Sequence, residues 1–268
     1  MSLSQIVNYL KESVSLRANI FSIATLLYSS LFSLLSRNYY SLVALPYGLK
    51  AFLPLKYFPW IWLNVLHIYY YRDYEQLREF TPKGNWTIVD IGAFVGLYTI
   101  KAAKLAGFRG KIYAIEPIPF NYKFLKANIL LNKLSNIEAI NACVSTKSGI
   151  ERIYVAEYGA NSSLLRKYVE EMDYLSKVVE VKAIKLDYLV HQVGIVDLMK
   201  IDIEGFEEKV IESARSVLKP KYVKRIVIEV HPSYSSVSSI SRILEENGYT
   251  VAVFGCLEAP DQVFVYAY

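Results

Sequence analysis

Residues 86–99 read WTIVDIGAFVGLYT, and this stretch predicts the strand and glycine turn around which the fold is built. Residues 87–91 form a short apolar run rich in β-branched side chains, which is typical of a buried strand. The run carries Asp90 near its end, and Gly92 and Gly96 then frame a tight turn before residues with helical spacing. This order predicts a small-ligand site, because glycine lets the backbone approach a ligand and a helix N-terminus offers free N–H groups.

The next predicted strand, residues 111–115, also ends on an acid, Glu116. Adjacent parallel strands present their carboxyl ends side by side, so this acid is expected near the glycine turn. Glu116 follows Gly92 by 24 positions, close to the ~20 expected for a carboxylate that binds ribose hydroxyls. The alternative interpretation is that Asp90 and Glu116 are merely solvated strand ends.

The turn itself indicates which nucleoside cofactor is bound. A dinucleotide site needs G-x-G-x-x-G to seat a pyrophosphate, whereas this chain has D-I-G-A-F-V-G with Phe94 in place of a glycine. The acid before the first glycine would repel a pyrophosphate but can serve a cationic cofactor with an α-amino group. S-adenosylmethionine (SAM) has this chemistry.

Four sequence blocks, DIGAFVGLYT, AIEPIPFNYKFLKANILLN, KIDIEGFE and IVIEVHP, follow one another over about residues 84–267. In this order and spacing they resemble the FkbM family of SAM-dependent methyltransferases. The resemblance implies an α/β fold with a Rossmann-like, seven-stranded class I methyltransferase sheet. It also implies O-methylation of a hydroxyl, with a sugar, glycolipid or related natural product as acceptor. The family usually has Asn where this chain has Phe94, so no polar role is predicted there.

The glycine turn, the end of the second strand and the KIDIEG block supply the predicted cofactor-binding residues. These are Asp90, Gly92, Ala93, Gly96, Tyr98, Thr99, Glu116, Pro117 and Asp202.

Acids and a histidine also lie at the carboxyl ends of the fourth and fifth predicted strands, residues 196–203 and 225–231. Methyl transfer from a sulfonium requires alignment of the acceptor oxygen and removal of its proton. His231 is the first candidate for the base, since its unperturbed pKa is ~6.5, and Asp202 and Glu204 are the other predicted catalytic residues. The alternative for His231 is a helix-cap or core hydrogen-bonding role.

The same strand ends allow a metal-assisted route. Asp202 and Glu229 could hold Mg²⁺, which would bind and acidify the acceptor hydroxyl. The metal-free route is preferred, and no dedicated metal ligands are predicted. The two histidines outside the motif blocks, His67 and His191, are predicted to be structural.

Two strand-like runs, residues 149–157 and 178–186, flank a polar segment, residues 158–177. This insertion interrupts the strand–helix rhythm, so it is a candidate acceptor-binding loop in which three side chains could bind hydroxyl groups. These are Asn161, Ser162 and Ser163. The alternative is a mobile surface loop.

Charge is distributed unevenly along the 268 residues. Residues 1–72 contain six Lys or Arg and one Glu, whereas residues 73–268 contain 24 basic and 24 acidic side chains. The predicted catalytic part therefore lacks the basic excess of a nucleic-acid-binding protein, and no nucleic-acid partner is expected. An apolar content of 53% argues against disorder.

The predicted organisation is a hydrophobic, basic and helical N-terminal extension, residues 1–80, followed by the methyltransferase domain, residues 81–268. Residues 18–35 carry no charge, and residues 53–72 are rich in Trp and Tyr. Residues 1–72 are therefore expected either to contact a membrane peripherally, near a lipid-linked acceptor, or to cap the sheet.

Two cysteines, Cys143 and Cys256, occur in apolar runs without a CxxC partner. They are expected to be core residues in a reduced compartment, which favours the cytoplasm. Two classes of function remain: a SAM-dependent O-methyltransferase, and a membrane-associated SAM-binding protein without catalysis. The acids at all four strand ends favour the enzyme. The sequence does not specify an oligomeric state.

Overall fold

The computed structural model describes residues 40–58, 60–255 and 262–268. The uncharged run at 18–35, Pro59 and Cys256 lie outside the described residues. The strands, in chain order, are β1 (Tyr40–Leu45), β2 (Leu49–Pro54), β3 (Thr87–Ile91), β4 (Lys111–Ile115), β5 (Ile137–Ile140), β6 (Cys143–Ser145), β7 (Gly149–Ala156), β8 (Leu175–Lys185), β9 (Leu198–Ile201), β10 (Ile226–Val230), β11 (Val251–Gly255) and β12 (Val263–Ala267).

The helices are α1 (Trp60–Leu66), α2 (Leu97–Ala106), α3 (Pro119–Leu131), α4 (Arg166–Met172), α5 (Leu186–Val193), α6 (Glu207–Ser213) and α7 (Val237–Glu246). Short 3-10 turns occupy Pro46–Gly48, Leu55–Tyr57, Asp73–Glu75 and Arg78–Phe80, and a π-helical segment covers His67–Tyr71.

A seven-stranded sheet organises the chain, with strand order β11-β12-β10-β9-β3-β4-β5. Five neighbouring strands, from β10 to β5, are parallel, and β12 runs antiparallel between β10 and β11. The prediction of a Rossmann-like class I methyltransferase sheet is confirmed. The strand order reverses between β3 and β9, and in such sheets a ligand binds at that point beyond the carboxyl ends.

The register of the sheet aligns three strand ends. Ile91, the last residue of β3, pairs with Ile115 at the end of β4 and with Ile201 at the end of β9. The residues that follow each strand are therefore neighbours across the sheet. All five residues of β10 are buried, as expected for a strand covered on both faces.

The third predicted strand, residues 137–144, is divided into β5 and β6. Asn141 lies at the break, where its Nδ2 donates to the carbonyl oxygens of Glu116 (2.8 Å) and Pro117 (2.9 Å). The chain then leaves the main sheet, and β6 joins β8 and β7 in a separate three-stranded sheet. The two strands predicted to flank the insertion are confirmed as β7 and β8, which pair antiparallel.

The prediction of a helical extension is wrong for residues 40–54, which form an antiparallel hairpin of β1 and β2. Exposed and buried positions alternate along β1, as a strand requires. Outward positions carry Tyr40 and Leu42 rather than polar residues, which hides the alternation in the sequence. Helix appears only later in the extension, as α1 and the turns that follow it.

The described part of the extension is not an independent unit. Its buried side chains, including Trp62 and Phe80, belong to the same hydrophobic cluster as Ile88 and Ile112 of the main sheet. A buried ion pair also joins the two parts, with Glu75 Oε1 2.5 Å from Lys101 Nζ of α2. These contacts support the interpretation that residues 40–80 cap the sheet.

Among the described residues, the helices are all too short or too polar to cross a membrane.

Candidate active site

The glycine turn after β3 brings the backbone of one strand end against another. A Cβ at Gly92 would lie 1.8 Å from the carbonyl oxygen of Asp202, and Gly92 has φ +78°. A Cβ at Gly96, where φ is +87°, would lie 2.6 Å from Leu125 Cδ1. Both positions favour glycine because each has a left-handed backbone, and at Gly92 the Asp202 backbone also leaves no room for a side chain.

The carboxylate of Glu116 is buried beside this turn. Its Oε2 accepts the backbone N–H of Phe94 at 2.9 Å, and its Oε1 accepts the N–H of Ile118 (2.9 Å) and Nδ2 of Asn121 (3.2 Å). Burial raises the pKa of Glu116 to about 8, although the three N–H donors and Lys200 oppose that rise. Glu116 is therefore an oriented acceptor, and the alternative of a solvated strand end is wrong.

Asp90 is also fully buried. Thr99 Oγ1 donates to its Oδ2 at 2.6 Å, and Lys200 Nζ lies 3.3 Å from its Oδ1. The same ammonium donates to the carbonyl oxygen of Gly92 at 2.9 Å and lies 3.3 Å from Asp202 Oδ2. Burial opposes the charge of Lys200, but the surrounding carboxylates outweigh it and raise the pKa of Lys200. The buried cation thus links the ends of β3 and β9.

Tyr74, from the turn that precedes the sheet, joins two further acids. Its hydroxyl lies 3.2 Å from Asp202 Oδ2 and forms a short hydrogen bond with Glu229. Burial and the neighbouring Asp202 raise the pKa of Glu229 to about 8. Near neutral pH Glu229 therefore carries a proton and can donate to Tyr74, while the phenol donates to Asp202.

His231 lies between two buried glutamates. Its Nε2 is 3.2 Å from Glu204 Oε2, and its Nδ1 is 3.1 Å from Glu207 Oε1. Burial disfavours the charged imidazole, but the two carboxylates raise the pKa of His231 well above 6.5. Both ring nitrogens then carry protons, so the ring has no lone pair with which to accept another. This geometry favours a positioning role for His231 over the predicted role of base.

The insertion holds Glu204 from the other side. Tyr168 of α4 donates a short hydrogen bond to Glu204 Oε2, and Ser163 Oγ donates to the carbonyl oxygen of Glu204 at 2.6 Å. Glu204 has φ +55°, a costly conformation for a residue with a side chain. The strained backbone and the fixed side chain together present this carboxylate at the end of β9.

The residues 158–177 thus contribute to the site mainly through Tyr168. The Ser162 hydroxyl bonds within the loop itself, accepting from Ala156 N and donating to Gly159 O. Ser163 is buried and holds the backbone of Glu204. The hydroxyl-binding roles predicted for Ser162 and Ser163 therefore give way to structural ones, and that for Asn161 stays a prediction.

Asp202, Glu229 and His231 are the group of described residues that could hold a metal ion, with one ligand atom from each within 4.8 Å of the others. Asp202 Oδ1 is buried without a partner among the described residues, but protein groups occupy the other donors: Lys200 and Tyr74 bond to Asp202 Oδ2, Tyr74 bonds to Glu229, and both His231 nitrogens face glutamates. A cation would have to displace those partners and deprotonate His231, so the donor set fits Mg²⁺ poorly.

Most of the predicted site residues come together at one edge of the sheet. That group comprises Asp90, Gly92, Ala93, Gly96, Thr99, Glu116, Pro117, Asp202, Glu204, Glu229 and His231. Tyr98 is buried against Tyr74, and its hydroxyl has no hydrogen-bond partner among the described residues. His67 bonds to Asp73 and His191 to the Asp187 carbonyl, outside this group, and their structural roles stay predictions.

Sequence reasoning missed four residues: Tyr74, Tyr168, Lys200 and Glu207. Lys200 had a usable signal, because a lysine within an apolar strand must find a buried carboxylate. The two tyrosines had none, since they reach the site from an irregular segment and from the insertion.

Comparison with known proteins gives consistent results. Residues 90–251 match the family model described as the methyltransferase FkbM domain. The chain is 26% identical over 206 residues to the methyltransferase sdnD of Sordaria araneosa, covering 66% of this chain and 79% of that protein.

Two further matches, both from Methanocaldococcus jannaschii, are lower in identity or cover only part of the chain. One is a tRNA(Phe) (4-demethylwyosine(37)-C(7)) aminocarboxypropyltransferase, 34% identical over 94 residues, covering 34% of this chain and 37% of that protein. The other is the crystal structure of TYW2 in complex with AdoMet, which aligns with a TM-score of 0.48 at 19% identity, covering 87% of this chain and 86% of that one.

Proposed function

The chain belongs to the FkbM methyltransferase family, and we propose that it transfers the methyl group of SAM to a hydroxyl of a sugar, a glycolipid or a related natural product. That it is a SAM-dependent methyltransferase follows from the family itself. The choice of a hydroxyl acceptor rests on one observation, the group of carboxylates at the carboxyl ends of β9 and β10 beside the glycine turn. Asp202, Glu204 and Glu229 can accept hydrogen bonds from hydroxyl groups, and one of them can accept the proton that is released.

Glu116 is proposed to bind the ribose of SAM, with the glycine turn beneath the rest of the cofactor. Support comes from the fixed orientation of its carboxylate, which N–H groups hold at both oxygens. Gly92 and Gly96 are the positions where a side chain would collide with neighbouring strand ends or helices. A tight glycine turn next to an oriented acid suits a nucleoside with ribose hydroxyls.

SAM supplies an electrophilic methyl group with a neutral thioether as leaving group. The acceptor oxygen forms the new C–O bond as the C–S bond breaks, and the hydroxyl proton must pass to a base. We assign that base to Asp202: its Oδ2 is held by Lys200 and Tyr74, and its Oδ1 is buried with no hydrogen-bond partner in the described part of the chain. The free oxygen can take the proton while the other keeps its position.

Glu204 and His231 then act together on the acceptor side. The protonated His231 ring and the Tyr168 hydroxyl both reach Glu204 Oε2 and fix the direction of that carboxylate. A fixed carboxylate can orient a polyhydroxylated acceptor by hydrogen bonds to neighbouring hydroxyl groups.

The absence of a nucleic-acid acceptor stays a prediction. One partly matched relative is by name a tRNA-modifying enzyme, so tRNA belongs among the acceptors to be tried. The equal numbers of basic and acidic residues in 73–268 support a small or glycan acceptor, since nucleic-acid binding needs a basic surface.

We also propose a cytoplasmic protein that contacts a membrane peripherally through residues 1–72. Tyr40, Leu42, Tyr47 and Trp60 are exposed apolar side chains, between 40% and 60% accessible. The basic excess of the segment suits an anionic lipid surface, at about 1 kcal/mol per Lys or Arg near it. Full-length protein should float with anionic vesicles and not with neutral ones; protein that stays unbound at low salt would exclude this contact.

The acceptor is tested by a methylation screen with SAM across sugars, glycolipids, small alcohols and tRNA, with mass analysis of the products. Asp202→Asn should lose product formation at least about a hundredfold, typical for removal of a general base. Glu246→Gln, a surface variant far from the strand ends, is the control. SAM binding without methyl transfer to any acceptor would favour the alternative, a SAM-binding protein without catalysis.

A further inference from the structure

Tyr57 reaches the cofactor side of the sheet from the 3-10 turn after the N-terminal hairpin. It is 1% exposed, and its ring stacks on Phe94 with centroids 5.5 Å apart and planes inclined by 30°. Its ring also packs against Phe120 in a T-shaped arrangement, with the ring centroids 5.7 Å apart. Phe94 belongs to the glycine turn and Phe120 to α3, and Glu116 lies between them in the chain. Tyr57 therefore packs against the segments next to the proposed ribose-binding acid.

The insertion, residues 158–177, also packs against the Tyr57 ring. Gly159 has φ +70°, and a Cβ built there would lie 2.1 Å from the Tyr57 ring. The backbone at Gly159 therefore packs directly on the tyrosine. Contacts with Gly159 on one segment and Phe94 on another leave the ring little freedom to change its position.

A hydrogen-bonded chain runs from the phenol to the acid. Tyr57 donates to Asn121 Oδ1 at 2.9 Å, and Asn121 Nδ2 donates to Glu116 Oε1 at 3.2 Å. Burial, followed by the charge of Glu116, raises the pKa of Tyr57, so the phenol keeps its proton and acts as a donor. Only the amide oxygen of Asn121 can accept that proton, and this fixes the NH₂ group toward Glu116.

We propose that Tyr57 is a positioning residue for cofactor binding: through Asn121 it orients the Glu116 carboxylate toward the ribose hydroxyls of SAM. The inference rests on the proposed role of Glu116. It adds to that role a residue that lies outside the family-matched region 90–251. The N-terminal segment would then be part of the cofactor site as well as a cap on the sheet.

The link has a consequence for pH dependence. The charge of Glu116 interacts with Lys200 from β9 and with the Tyr57 phenol. Lys56, next to Tyr57, has its ammonium nitrogen 3.4 Å from the centroid of the Phe120 ring. Loss of the phenol frees the Asn121 amide to rotate and to turn its oxygen toward the carboxylate. The pKa of Glu116, already raised to about 8 by burial, would then rise further. SAM binding, which requires the ionised acceptor, would demand a higher pH.

Isothermal titration of the full-length protein with SAM, repeated across a pH series, tests the proposal. Tyr57→Phe keeps the ring packing and should weaken SAM binding about fivefold to tenfold near neutral pH, with the midpoint of the pH profile moved upward. Tyr249→Phe is the matched control, because its buried hydroxyl donates to the Val223 carbonyl far from Glu116. The amino group of SAM titrates in the same way with every variant, so its contribution cancels when the pH profiles of the variants are compared. Asn121→Leu breaks the same link and should reproduce the effect.

A double-mutant cycle separates the possible outcomes. Glu116→Gln should weaken binding at least about tenfold, and adding Tyr57→Phe to it should cost less than about twofold more. If Glu116→Gln binds SAM like the wild type, the proposed cofactor role of Glu116 fails. If Glu116→Gln is weak but Tyr57→Phe matches Tyr249→Phe, only the role of Tyr57 fails. Equal weakening by Tyr57→Phe in both backgrounds would show a packing effect and overturn the proposal.

Discussion

The ammonium nitrogen of Lys200 lies 3.3 Å from a carboxylate oxygen of Asp90, its direct partner in the register of β9 and β3. Both side chains are almost completely buried. The ammonium also holds the Gly92 carbonyl and Asp202, so one cation connects the glycine turn to the proposed base. The position of the proposed base, Asp202, relative to the glycine turn therefore depends on Lys200.

Lys200→Met should therefore destabilise the fold by about 3–5 kcal/mol, because it leaves buried carboxylates without their counter-charge. The free energy of unfolding from urea denaturation measures this loss. Lys224→Met is the control, since Lys224 pairs with Asp197 at 2.8 Å but is half exposed, and exposed pairs contribute about 1 kcal/mol or less. Equal losses in the two variants would show that Lys200 does not compensate a buried charge.

Glu229→Gln should remove part of the pH dependence of stability. The folded pKa of Glu229 is raised to about 8 from an ordinary 4.5, so the folded protein holds an extra proton between these values. Stability from this group is therefore present below about pH 4.5 and is lost as pH rises through about 8. The amide mimics the protonated acid, so the variant should match wild type below about pH 4.5, exceed it increasingly between about pH 4.5 and 8, and keep that advantage at higher pH.

Denaturation of wild type and Glu229→Gln at a series of pH values checks this expectation. Glu138→Gln, at an exposed position on β5, is the control for the substitution itself. Parallel pH profiles for wild type and Glu229→Gln would show that Glu229 is ionised in the folded protein at neutral pH.

His231 should be an imidazolium at neutral pH. Burial opposes its charge, but Glu204 and Glu207 raise the folded pKa well above the ordinary 6.5. Its contribution to stability is therefore complete below about pH 6.5 and is lost as pH rises through the raised value. The stability difference between wild type and His231→Gln should accordingly be largest in mild acid and shrink in alkali.

Nitrogen NMR of the imidazole groups provides the direct measurement, with both ring nitrogens of His231 protonated near neutral pH. His191, which is exposed, gives a second imidazole signal in the same spectra. A His231 ring that titrates at or below about pH 6.5 would return it to the role of base.

Magnesium should have little effect on the protein. Lys200 and Tyr74 already bond to the carboxylates that would bind the ion, so the midpoint of thermal unfolding should change by less than about 1 °C on adding MgCl₂ or a chelator. A sodium chloride series at equal ionic strength controls for screening. A concentration-dependent rise with Mg²⁺ that disappears in Glu229→Gln would establish the metal-assisted alternative.

The main sheet was predictable because its signals are local. Buried parallel strands require apolar runs, and the tight turn after β3 requires glycine, so both features are written in consecutive residues. The acids at the carboxyl ends of β3, β4, β9 and β10 were predictable for the same reason, since each lies in or directly after its own strand. The resemblance of four ordered blocks to one family then identified the cofactor.

The N-terminal hairpin and the partners of each acid were decided by tertiary structure alone. Outward-facing Tyr40 and Leu42 mask the alternation of β1, so no local pattern distinguishes it from helix. Tyr57, Tyr74 and Tyr168 become site residues only because distant segments fold over the strand ends. The protonation of His231 likewise depends on Glu204 and Glu207 approaching both of its nitrogens. A pKa depends on burial and on the charges within a few ångströms, and only the folded chain brings those together.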